Sequence, residues 1–133
     1  MKMKVEQSRN FALIFLRIIV ALLMLIHGIA RIYFGIVDDF GEFLTLNNFP
    51  LGFYLAWAIT SFEIVGSVLL AIGRYVAPLA IIFAVHLLCG ILLVHLKEGW
   101  FVVGAGKNGA EYSVLLIAVF ITLAVSHFGK IKN

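Results

Sequence analysis

The sequence predicts an all-α integral membrane protein, a four-helix bundle with both termini on the cytoplasmic side. Two observations carry that class. The first is composition: 63% of the 133 residues are hydrophobic and the mean hydropathy is +1.11, whereas an ordinary soluble domain is about half apolar. The second is the layout of the apolar residues. They fall into four segments, 11–34, 52–72, 76–96 and 111–128, each close to the ~20 residues a helix needs to cross roughly 30 Å of hydrocarbon. Barrel strands would run about 10 residues with strict alternation, and no such alternation is visible. The length suits one domain, residues 1–133.

Each element has its own justification. The first segment follows a basic start (Lys2, Lys4, Arg9). It is too long for the core of a signal peptide and no small-residue cleavage pattern follows it, so it reads as a retained span. The second segment stops at Gly73-Arg74, and the third carries Pro78 in its first turn, where a missing N–H is harmless. The short link Gly73-Arg74-Tyr75 implies that spans two and three are antiparallel neighbours. The fourth span stops at Gly129-Lys130. The link 35–51 holds Asp38, Asp39, Glu42 and Pro50. Its Phe40, Phe43, Leu44, Leu46 and Phe49 alternate with polar groups and predict a segment lying at the interface. The link 97–110, with Trp100 and Phe101, is expected to be interfacial too. Trp100 and Tyr75 are most simply anchors there.

Orientation follows from the basic residues. One side of the membrane receives Lys2, Lys4, Arg9, Arg74, Lys130 and Lys132, and the other Lys97 and Lys107, with Arg31 near a helix end. The richer side is cytoplasmic, so both termini are expected inside and the two longer links outside.

Charge and cysteine content exclude several functions. A net charge of +3 on basic residues confined to tails and helix ends gives no continuous face for nucleic acid. The one cysteine, Cys89, excludes an internal disulfide, a CxxC pair and a cysteine zinc cluster, and reads as packing. No HxxxH or ExxH spacing supports a metal site. No flavin, haem or iron–sulfur motif is present, so redox chemistry would need a bound cofactor or a partner.

The polar residues within the spans are the candidate site. A charge at the centre of a span costs about 2.5–3.5 kcal/mol on insertion scales, and such groups usually face a bundle interior. At 100° per residue, Arg17, Met24, His27, Gly28 and Arg31 share one face of the first span, and Thr60, Glu63, Gly66, Ser67 and Leu70 one face of the second. Counting depth from the cytoplasmic ends predicts a structural ion pair between Arg17 and Glu63, with snorkelling of Arg17 to the headgroups as the plainer alternative. His27, Arg31, His95, Glu111 and Tyr112 lie toward the outer ends of three spans and could line one pocket. His86 precedes His95 by nine residues and should point to the opposite face; it reads as a core or interfacial histidine.

Taken in order, Arg17, His27-Gly28-Ile29-Ala30-Arg31, Pro50, Glu63-Ile64-Val65-Gly66, Gly73-Arg74, His95 and Glu111-Tyr112 resemble the DoxX family of small bacterial and archaeal membrane proteins. The likeness runs through all four spans, and its order and spacing are more specific than any one motif. Arg31 stands where the family usually has lysine, which keeps the charge and changes the geometry. The resemblance implies a four-helix membrane bundle. The family is named for a small membrane subunit of an archaeal thiosulfate:quinone oxidoreductase, and other members are tied to redox-stress complexes. By that likeness Arg17, His27, Arg31, Glu63, His95 and Glu111 occupy recurrent polar positions.

Three functions follow as expectations. The first is a membrane subunit or partner of a quinone-linked oxidoreductase or redox-stress complex. In it His27, Arg31, Glu63, His95, Glu111 and Tyr112 would contact a quinone, and a soluble or membrane redox protein would supply electrons. The second is a structural or scaffolding protein in which the charges fix helix register. The third is proton or small-molecule transport, for which four helices would need a homo-oligomer.

Overall fold

In a computed structural model of the chain, residues 1–128 are described, and all regular structure among them is helical. The expected stop at Gly129-Lys130, and the charge of Lys132, lie outside the described residues. Four helices are long and apolar enough to cross a membrane: Lys2–Tyr33, Gly52–Ala71, Val76–Glu98 and Glu111–Phe128. This is the multi-pass helical membrane protein that the hydropathy pattern predicts. The helices are α1 (Lys2–Tyr33), α2 (Val37–Leu46), α3 (Gly52–Ala71), α4 (Val76–Gly90), α5 (Leu96–Glu98) and α6 (Glu111–Phe128), with a π-helical segment, Ile91–His95, joining α4 to α5. By contacts they form two compact units, one of Arg17–Arg74 and one of residues 1–16 with those from Tyr75 onward.

Helix α1 begins well before its apolar run. Lys2–Asn10 is rich in good helix formers, and Glu6 meets Arg9 at 3.7 Å across one exposed turn, a contact that adds only a few tenths of a kcal/mol. Its buried residues are Val20, Ala21, Met24, Gly28 and Arg31. Of the predicted face Met24, Gly28 and Arg31 are buried, Arg17 is half-buried and His27 is exposed.

The link 35–51 contains a helix that length alone did not reveal. Val37, Leu44 and Ala56 of α3 form a small core, with Phe40, Phe43, Phe49, Leu55 and Ile59 packed on it. The apolar residues of α2 thus turn toward α3, while Asp38, Asp39 and Glu42 stay exposed. Gly41 and Gly52 permit the approach. A Cβ on Gly41 would stand 2.8 Å from Phe53 Cα, and one on Gly52 would be driven into the Gly41 carbonyl and Thr45.

Helix α3 buries Thr60, Glu63, Gly66, Ser67 and Leu70, the face read from the 100° periodicity. It ends in a Schellman turn: Gly73 N–H donates to Leu70 O at 3.0 Å and Arg74 N–H to Leu69 O at 2.8 Å. Gly73, at φ +83°, supplies the left-handed residue this turn requires.

In the other unit α4 packs on α6. Phe83 and Phe120 are fully buried and stack with centroids 5.2 Å apart. Leu79, Ala80, Leu116, Leu123 and Ala124 complete the contact layer. Cys89 is exposed midway along the span, where lipid is expected to cover it. In intact bilayers a sulfonated, impermeant maleimide should leave Cys89 unmodified until detergent is added. Rapid labelling in sealed vesicles would show that this helix does not cross the membrane.

Candidate functional site

The polar centre of the Arg17–Arg74 unit is built on α1 and α3. Gly28 brings the helices together: a Cβ there would lie 3.0 Å from Ile64 Cγ1 and 3.1 Å from Glu63 Cβ. One turn further on, Arg31 reaches across. Its Nη1 donates to Glu63 Oε2 at 2.6 Å and to Thr60 Oγ1 at 3.0 Å, and Nη2 lies 3.4 Å from Glu63 Oε1. Glu63 is 0% exposed and Arg31 9%. Phe40 of α2 covers the guanidinium, with Cζ 4.6 Å from its ring centroid, a cation–π contact worth about 2 kcal/mol when desolvated.

Glu63 therefore has a different cation from the one expected. Its partner is Arg31, and Arg17 is engaged elsewhere. Arg17 Nη2 donates to Ala71 O at 3.4 Å, and the guanidinium lies against the Gly73 turn, 3.0–3.1 Å from where a Cβ would stand. The reason is register. Gly28 stands level with Glu63, so Arg17 is eleven residues away along α1, about 16 Å at ~1.5 Å per residue. That exceeds the reach of the side chain. At its actual level Arg17 finds the C-terminal carbonyls of α3, which attract a cation.

The remaining expected site residues have these places. His27 is exposed on α1, next to Gly28. His95, Glu111 and Tyr112 belong to the other unit. His95 Nδ1 is 2.7 Å from Asn108 O, and Glu111 Oε1 accepts the Val102 N–H at 2.8 Å. With Gly109 N–H to Phe101 O, Ala110 N–H to Gly99 O and Glu111 N–H to Trp100 O, all at 3.0 Å, these bonds order the loop 99–110. Tyr112 is exposed. His95 ends the π-helical segment, which winds differently from α-helix. The opposite-face relation of His86 and His95, counted over nine α-helical steps, does not carry through it.

Two contributors escaped the sequence reading. Thr60 was placed on the right face without a role, and its spacing of three from Glu63 was a usable signal. Phe40 gave none, because its ring reaches Arg31 only through the fold of α2. Among the described residues no group of three or more His, Cys, Asp or Glu is placed to hold a metal.

A small multi-pass helical membrane protein with a buried arginine–glutamate pair between its first two spans is the class so defined. The family model DoxX matches residues 12–96, and the chain belongs to the DoxX family. An uncharacterized protein of Haemophilus influenzae is 28% identical over 124 residues, 93% of this chain and 89% of that one. A Bacillus subtilis protein named "Putative oxidoreductase CatD" is 25% identical over 125 residues, 92% and 86% of the two chains. No solved structure matches.

Proposed function

We propose that this chain is a membrane subunit or partner of a quinone-linked oxidoreductase or redox-stress complex of the inner (plasma) membrane, with both termini cytoplasmic. The observation that carries the reading is the Arg31–Glu63 pair, buried between α1 and α3 beneath an aromatic ring. A quinone head group presents two carbonyl acceptors and a flat face. The residues here suit it: Arg31 Nη2 is only weakly engaged, at 3.4 Å from Glu63, and the Phe40 ring offers a stacking surface. A bound quinone would supply two-electron, two-proton chemistry. Arg31 would donate to a carbonyl oxygen and Glu63 would hold a proton at Oε1, while electrons would come from a partner protein. His27 borders this site on α1. His95 and Glu111 have a loop-ordering part in the proposal, and Tyr112 an exposed one beside them. The oxidoreductase name of the Bacillus subtilis relative supports the redox setting.

The closed geometry of the pair, 2.6 Å with Thr60 as a second acceptor, favours a second reading. In it the charges fix the register of α1 on α3 and the chain scaffolds its partners. Binding of a short-chain quinone to protein in lipid nanodiscs separates the two. The redox reading expects saturable binding, weakened at least tenfold by Arg31→Lys. Absence of binding, together with unchanged quinone-reductase activity in membranes lacking the protein, would leave the scaffold.

A further inference from the structure

Among the described residues, two buried side-chain polar atoms have no hydrogen-bond partner, Ser67 Oγ and Arg17 Nε. Both belong to the Arg17–Arg74 unit, and both lie on the same side of Glu63. Ser67 follows Glu63 by four residues on the buried face of α3 and is 1% exposed. Ala71, whose carbonyl takes the Arg17 guanidinium, follows Ser67 by another four. Each interval is about 6 Å along the axis, close to the ~5.5 Å that one water spans with two hydrogen bonds. A buried hydroxyl left unpaired costs about 1–3 kcal/mol, and a bridging water removes that cost at small entropic expense. By the Gly28–Glu63 register Met24 of α1 stands level with Ser67 and Ala21 about one turn nearer Arg17, while Gly66 adds no side chain on the α3 side.

We propose that a chain of bound water runs along this face of α3, from the Arg17–Gly73 end through Ser67 to Glu63, and exchanges protons between the aqueous phase at that end and the buried pair. Ser67 is suited to the middle position because a hydroxyl both donates and accepts. Each hop forms one O–H bond and breaks one, so a proton delivered to the Glu63 carboxylate leaves no charge stranded on the way. Arg17 keeps its proton and acts as a positioning residue, orienting the outermost water, and the α3 carbonyls offset its charge. The α1 residues buried along the route are Val20, Ala21 and Met24. On the far side of Glu63 the pair is closed by Thr60 and Phe40, so the route opens at one end.

The water chain stands independently of a quinone, and its test uses the full chain alone. In a Cys89→Ala background, single cysteines are placed at Ser67, at Val65 (58% exposed on the same helix) and at Ala56 (0% exposed, beyond the ion pair). Each is treated with silver ion in nanodiscs and then counted with a maleimide after denaturation. Silver reacts with thiols in contact with water. The expected result is protection of S67C at least tenfold faster than of V65C or A56C. If S67C is as inert as the other two, no water reaches this level of α3 and the proposal fails. Equal reactivity of A56C would also overturn it, because water would then enter from the other end. The substitutions are small, and monodisperse elution of each variant separates inertness from misfolding.

Discussion

Replacing Arg31 by alanine will lower the unfolding free energy by about 3–5 kcal/mol, the usual cost of removing one partner from a buried ion pair. Glu63 has no exposed surface and would lose its 2.6 Å contact. The loss has three sources. The carboxylate stays in an apolar interior without the arginine, Thr60 loses a donor and Phe40 loses its cation. The double variant Arg31→Ala, Glu63→Ala should cost less than the sum of the two single changes, with a coupling of about 0.5–3 kcal/mol. Arg31→Lys should fall between wild type and alanine, because lysine keeps the charge but loses the planar fork and its stacking on Phe40. Denaturation by SDS in mixed micelles measures all four variants. A cost below about 1 kcal/mol for Arg31→Ala would mean that the pair is solvated or replaced by another cation.

Periodicity made the faces of the long helices legible. Thr60, Glu63, Gly66, Ser67 and Leu70 share a face at 100° per residue, and all five are buried. The pairing of one face with another was not legible, because depth was counted from the ends of the apolar runs. Those ends are not level: Arg17, six residues inside its run, meets the last turn of α3. The register is set instead by Gly28 against Glu63 and Ile64, a close approach with no separate signature in a single sequence. Helix α2 was hidden for another reason. Its ten residues are too few for a span, and Phe40, Phe43, Leu44, Leu46 and Phe49 set among polar groups suggest an interfacial segment without fixing its form. Adding Val37 gives 37, 40 and 44, a short helical stripe, and that stripe is the face that packs on Ala56. The π-helical segment carries no local signal at all, since Ile91–Val94 is as apolar as the helix before it.

The tightest backbone approach in the Arg17–Arg74 unit predicts the second large effect. Gly52→Ala should destabilise this unit by about 1–3 kcal/mol or more, the range for overpacking a close contact. At Gly52 a Cβ would meet the Gly41 carbonyl oxygen and stand 2.9 Å from the Thr45 amide. Both are main-chain atoms that move only if α2 shifts on α3. Gly28→Ala should cost less, because the contacts there are looser: Ile64 Cγ1 at 3.0 Å can change rotamer, and Glu63 Cβ at 3.1 Å needs to give by only a few tenths of an ångström. Gly90→Ala should be neutral or slightly stabilising: nothing lies within 4 Å of its Cβ position, and alanine is favoured over glycine in a helix by about 1 kcal/mol. The three variants, compared by the same SDS titration, should rank in that order. The Gly52 change should also act on the polar site. Moving α2 moves Phe40, so the aromatic cover over Arg31 would loosen along with stability. Gly52→Ala that proved as stable as Gly90→Ala would show that α2 is free to slide on α3 and that Phe40 does not hold a fixed position over the ion pair.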